Sequence, residues 1–136
     1  MAASSKYIIQ DLKGQIIEGG KVIFDGFRAD HNILGEPCSI LYSAVTEPHV
    51  LVDKPHMHDF PHFLCLFGSN PKDLFDFDAE VEIYLDGEKN IITAPSIIHM
   101  PTGLPHCPLN FKRIGKPIMF LEIMLTASYE RKFPNK

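Results

Sequence analysis

Cysteine is scarce in this chain and unpatterned. Cys38, Cys65 and Cys107 are odd in number and widely spaced, with no CxxC pair. That excludes a zinc ribbon and a thioredoxin-like redox motif. Cys65 sits in an apolar run and reads as a small buried hydrophobe. Cys107 follows a histidine, so strand alternation turns the two side chains to opposite faces. Long hydrophobic runs are missing as well: none approaches the ~20 apolar residues of a membrane span. The N-terminal Met1-Ala2-Ala3-Ser4-Ser5-Lys6 is not followed by the apolar core of a signal peptide. Basic charge is short, with 13 Lys and Arg against 17 Asp and Glu and a formal net charge of −4. Binding to nucleic acid or to an anionic membrane relies on clustered Lys and Arg, which this balance disfavours. The small groups Lys112, Arg113 and Lys116, and Arg131 and Lys132, read as solvated loop and tail charges. The expectation is a cytoplasmic protein with neither nucleic acid nor membrane as partner.

Repeats and low-complexity segments are absent, and helical periodicity is nearly so. The chain shows short apolar runs punctuated by 11 prolines and 9 glycines. This is the pattern of many short strands in a sandwich or barrel, an all-β fold. At 136 residues the length suits one domain, 1–136, with a real core. Strands are expected over 21–27, 38–46, 63–67, 81–85, 90–93, 97–100 and 117–126. Asp86-Gly87 marks a hairpin between two of them, because its turn needs positive φ. One helical turn is expected over 71–75. It lies in the segment 69–79, whose Asp73, Asp76 and Asp78 lack the spacing and glycine of a calcium-binding EF-hand loop. Those carboxylates read as solvated. Leu74, Phe75 and Phe77 are expected to pack beneath that loop or to line a pocket mouth.

Histidine is where the chemistry concentrates. Four of the seven fall in two clusters: His56-Met57-His58-Asp59-Phe60-Pro61-His62, and Pro101-Thr102-Gly103-Leu104-Pro105-His106. On an extended chain His56 and His58 project to one side and can share an ion. His62 keeps that parity if the chain stays extended across Pro61, and His106 adds a ring from a separate hairpin. His31, His49 and His99 stand alone and are assigned no ligand role.

The pattern H-x-H-x-x-x-H…G, followed by P-x-G-x-x-H-x-x-x-N, resembles the two motifs of the cupin superfamily. The resemblance spans Val50 to Asn110, with motif one at about 50–68 and motif two at about 95–110. It implies a double-stranded β-helix, or jelly-roll barrel, with one metal ion inside. Carried over, the ligands are His56, His58, His62 and His106, while Pro101, Gly103 and Asn110 shape the second motif's loop. This chain departs from the family pattern in four ways. Val50 and Pro95 stand where glycines usually open the motifs, Gly68 comes one residue early, and His62 replaces a glutamate.

That last replacement matters electrostatically. Four neutral imidazoles leave a divalent ion its full formal charge of two, favouring an anionic ligand. Imidazole suits a divalent transition metal (Fe, Ni, Zn, Cu, Mn or Co) better than Mg or Ca. The expected role is a metal-dependent enzyme acting on a small anionic organic molecule, with dioxygenase-type chemistry foremost among oxidoreductase, lyase and isomerase options. The rival is a non-catalytic binding or sensor module in which the metal only organises the pocket. No catalytic group is fixed by the motifs; Tyr42, Glu82, Tyr84 and Glu122 are candidates for acid–base support near the metal. Small cupins commonly pair. Apolar stretches at 7–9 and 118–125 suggest a homodimer in which terminal or edge strands are covered by the partner.

Overall fold

A computed structural model describes residues 3–10, 12–18, 21–52 and 54–126. After a 3-10 turn at Ala3–Tyr7 come β1 (Lys13–Glu18), β2 (Lys21–Ala29), the short helix α1 (His31–Leu34), β3 (Ser39–Val45) and β4 (His49–Val52). Then follow β5 (His62–Gly68), β6 (Ala79–Leu85), β7 (Glu88–Ile92), β8 (Ser96–Met100), β9 (His106–Ile114) and β10 (Ile118–Met124). All seven expected strands are present, and three more join them. β1 and β4 are weakly apolar or short. β9 was hidden by Pro108 and by Lys112 and Arg113, which interrupt its apolar alternation. Residues 71–75 form turns rather than a helix. The helix lies instead at His31–Leu34, where the Asp30 carboxylate accepts from the Asn32 and Ile33 amides and Gly35 closes the turn at φ 75°. Among the described residues no helix is long and apolar enough to cross a membrane. Arg131 and Lys132 lie outside the described residues.

The strands pair antiparallel in two sheets, ordered β1-β2-β3-β10-β5-β8 and β4-β9-β6-β7. Alternation gives each sheet one buried face. Val45, Leu64, Leu66, Ile98, Met100, Ile118 and Phe120 come from the six-stranded sheet; Ala79, Val81, Ile83, Leu109 and Phe111 from the other. These faces meet in one core, with Phe111 and Phe120 in ring contact at 5.9 Å. Burying each such side chain stabilises by about 1.5–3 kcal/mol. This two-sheet antiparallel barrel is the jelly-roll architecture expected. The Asp86-Gly87 hairpin has both residues at positive φ, 52° and 81°, as a type I′ turn demands.

Two features at the far end and the outer face correct the sequence reading. The loop after β5 is tied down by ion pairs, Asp76 to Lys116 at 2.8 Å and Asp78 to Arg113 at 2.6 Å. Asp73 instead accepts from the Phe75 amide. Leu74 and Phe75 are exposed rather than packed beneath the loop, and only Phe77 packs against the core. The loop leaves the end of β5 remote from His62, so it does not border the histidines.

The apolar stretch at 118–125 is also not an edge. β10 is paired on both sides, to β3 and to β5. Tyr7 closes the 3-10 turn and is not part of a strand. An apolar row instead crosses the outer face of the large sheet, exposed at its ends, Phe27 and Ile97, and buried at Cys65. The register places Phe27, Tyr42, Leu121, Cys65 and Ile97 side by side on five strands.

Candidate metal centre

Backbone pairing builds the site. His56 and His106 form an isolated antiparallel bridge, each amide donating to the other's carbonyl at 3.0 and 2.9 Å. This joins the two histidine motifs directly. The turn before His106 is set by Gly103 at φ 83°, with the Leu104 amide donating to the Pro101 carbonyl at 3.1 Å. That combination is a type II turn, in which glycine is favoured for its φ. The Gly103 amide in turn donates to the His58 carbonyl at 3.0 Å, fixing the segment between β4 and β5. His62 opens β5, in register with Met100 of β8 and Met124 of β10. Pro61 does not bend it away, and its carbonyl accepts from the Leu125 amide.

All four rings therefore converge at one end of the barrel. Centroids lie 4.4 Å apart for His56 and His106, 5.0 Å for His56 and His58, and 5.0 Å for His58 and His62. His106 is 5.1 Å from His58 and 5.0 Å from His62. Every one of these histidines is at most 4% exposed. His58, His62 and His106 each offer a ring nitrogen within 4.8 Å of the others. His56 enters through His106, in a second donor set with Cys107.

Tautomers are largely set by the backbone. Nδ1 of His56 faces the Lys54 carbonyl at 3.2 Å, and Nδ1 of His106 faces that of Leu104 at 2.9 Å. A proton placed there donates to the carbonyl and leaves Nε2 as the lone-pair nitrogen, the arrangement typical of metal-binding imidazoles. In His62 the roles are exchanged. Nε2 sits 3.2 Å from the Met100 thioether, and buried Nδ1 has no hydrogen-bond partner. A buried lone pair without a donor is costly, and a cation supplies what it lacks. Phe60 stacks on His58 at 4.6 Å, closing an apolar wall around the rings. These donors fit a transition-metal ion.

Of the acid–base candidates, three point away. Glu82 and Tyr84 alternate with Val81, Ile83 and Leu85 and so occupy the outer face of β6; Glu82 pairs with Lys112 at 3.3 Å. Tyr42 lies on the outer face of β3 against Phe27, 5.2 Å between rings. Glu122 shares the parity of Ile118, Phe120 and Met124 and faces the interior, in register with Leu41 and Leu64. His31 lies in α1, His49 packs on Phe111, and His99 stacks on Phe63 on the outer face, so none joins the cluster.

Cys107 is where alternation fails. The register advances from Ile83↔Leu109 to Leu85↔His106, so β9 carries one extra residue, and Cys107 takes φ 80°. This bulge buries both His106 and Cys107. The proline after Cys107 was the only sequence signal of an irregular strand start.

No protein-family model and no curated protein sequence matches the chain. Solved structures do. The polyketide cyclase RemF of Streptomyces resistomycificus matches with TM-score 0.61 and 16% identity, over 93% of this chain and 82% of that one. Oxalate decarboxylase of Bacillus subtilis, described with Mn(II) centres, matches with TM-score 0.55 and 16% identity over 90% of this chain. This chain spans only 29% of that enzyme's length. A cupin protein of Bacteroides fragilis matches with TM-score 0.52 and 16% identity, over 89% and 90% of the two chains. The fold is that of the cupins, and its histidine cluster suits a divalent metal.

The site has a pH signature of its own. Burial first, then repulsion from His106, His58 and His56, pushes the His62 pKa down from 6.5 to about 3. Unfolded, His62 takes up a proton below about 6.5; folded, it does so only near 3. The unfolded state therefore gains protons first as pH falls. Stability is fully present above about pH 6.5 and declines between there and 3, by up to about 1.4 kcal/mol per pH unit for this one proton. Metal-free protein in urea unfolding should show that decline, and His62→Gln should show a shallower one. Equal slopes for the two proteins would contradict this assignment.

Proposed function

We propose that this chain is a metal-dependent cupin enzyme in which His56, His58, His62 and His106 hold one divalent transition metal and act on a small anionic organic molecule. The observation that carries this reading is the donor set itself: buried imidazoles converge, and among the described residues no carboxylate joins them. A bound divalent ion would supply Lewis acidity and keep its full formal charge, attracting a carboxylate or enolate. The chain's own part is to exclude water with Phe60 and the core. It also hydrogen-bonds the rings in fixed orientation and presents Glu122 from the inner face as the acid–base group. Arg28, exposed and in register with Leu41 on that same inward row, offers a positive charge to an arriving anion. Dioxygenase-type chemistry is the leading reaction class, because an open-sided histidine site accepts both a chelating substrate and O₂. The names of the fold neighbours, an oxalate decarboxylase and a polyketide cyclase, agree with small-molecule chemistry on this fold.

One observation favours a second reading. Three of the four acid–base candidates face outward, leaving Glu122 alone inside. A metal-organised binding or sensor module needs no such group, and it is the alternative. A cytoplasmic homodimer completes the proposal, paired through the apolar outer row from Phe27, 39% exposed, to Ile97, 64% exposed. An exposed apolar face of this kind is covered by isologous pairing in many small proteins. Light scattering at micromolar concentration should give twice the chain mass, and a monomer mass would count against it.

The anionic preference is tested with cobalt-loaded protein and oxalate as probe. Adding oxalate should change the visible cobalt spectrum of the wild-type protein at lower concentration than that of His62→Glu, whose site carries one positive charge less. Equal affinities would place His62 outside the coordination sphere. Oxygen uptake with a panel of small carboxylates separates enzyme from binder, since a binder shifts the spectrum without consuming O₂.

A further inference from the structure

We infer that the same end of the barrel holds a second, sulfur-containing metal site, made by His56, His106 and Cys107, which selects thiophilic ions. Its donors are a ring nitrogen of His56, a ring nitrogen of His106 and Sγ of Cys107, all within 4.8 Å of one another and all buried. This set shares His56 and His106 with the four-histidine site but stands on its own geometry. Because His106 also belongs with His58 and His62, one ion cannot be centred on both sets, and the two modes exclude one another.

The backbone at Cys107 supports a role beyond packing. Two non-glycine residues among those described have positive φ, Asp86 and Cys107. Asp86 needs it for the hairpin turn. Cys107 has no tight turn to make; its φ of 80° accompanies the bulge that brings its thiol to the same side as the His106 ring. A regular strand would have sent the sulfur to the opposite face. Such backbone outliers cluster where a side chain must be aimed. None of the three cysteines is in a disulfide. The Met100 thioether, 2% exposed and 3.2 Å from His62, adds a further soft sulfur to the wall of the same cluster.

Ligand softness decides which ion goes where. Thiolate favours zinc, cadmium and copper(I), whereas an all-imidazole set suits borderline ions such as nickel, cobalt or iron(II). When a metal–sulfur bond forms at Cys107, the S–H proton leaves to solvent, as coordinating thiols are deprotonated by the ion. The site then carries one positive charge less than the four-histidine mode. The ion bound thus sets how strongly the pocket attracts anions.

Cadmium titration of the reduced full-length protein tests this. Wild-type protein should develop an ultraviolet thiolate-to-cadmium charge-transfer band that saturates at one equivalent. Cys107→Ser should lose the band, while Cys38→Ser and Cys65→Ser keep it. A band that survives in Cys107→Ser, or one cadmium bound per chain without a band, overturns the inference. In the second case the four-histidine reading still stands; if neither cadmium, cobalt nor nickel binds, both readings fail. Should Cys107→Ser not fold, ¹¹³Cd NMR of the wild-type protein decides alone. A resonance shifted downfield by thiolate supports the site, and one at the position of a purely nitrogen and oxygen environment overturns it.

Discussion

The pair of backbone hydrogen bonds between His56 and His106 holds the candidate site together. It is an isolated bridge from His56, in the segment after β4, to His106, the first residue of β9. Everything else at this end is arranged about it. The type II turn at Gly103 delivers His106, and the Gly103 amide reaches back to the His58 carbonyl. His62 arrives by a different route, from the first position of β5, where its neighbours are Met100 and Met124. The barrel's closure thus brings together side chains up to fifty residues apart in sequence, at no cost beyond the pairing that the strands already require.

What converges there is chemically unfinished. Four imidazoles in an apolar surrounding cannot all be protonated, since burial and mutual repulsion both oppose the charge. Neutral, they point lone pairs into a common region, and the His62 Nδ1 atom has no donor to meet it. A metal ion resolves both problems, replacing protons that the site resists with a charge that it is shaped to share. With His62 where the family pattern has a glutamate, a bound ion would keep its full charge and call for a partner anion, because neutral imidazole cancels none of it. At the proposed second site, the Cys107 thiolate would cancel part of it, by sulfur rather than oxygen.

Much of this was legible in the sequence, for definite reasons. The apolar alternation marked seven strands, and Asp86-Gly87 marked a hairpin, because both signals are local. The spacing of His56, His58, His62 and His106 brought out the cluster because strand parity and a known two-motif pattern agree on it. The failures are equally physical. β9 begins at a bulge and carries Pro108, so its period is broken where the eye needs it. Alternation at Cys107 predicted the wrong face because positive φ overrides it. Glu82, Tyr84 and Tyr42 could not be separated from Glu122 until register fixed which parity faced the core. β10 looked like an edge because it is near the end of the chain, whereas pairing order is set by topology and not by sequence position.

The central claim is that the four histidines share one transition-metal ion. It is tested most directly by X-ray absorption at the metal edge on protein loaded with one equivalent of nickel or cobalt, with metal content measured in parallel. The account predicts about one ion per chain, a first shell of nitrogen with the multiple-scattering pattern of imidazole, and loss of occupancy in His58→Ala but not in His99→Ala. Occupancy that follows His99 and ignores His58, or a shell without imidazole scattering, would contradict it.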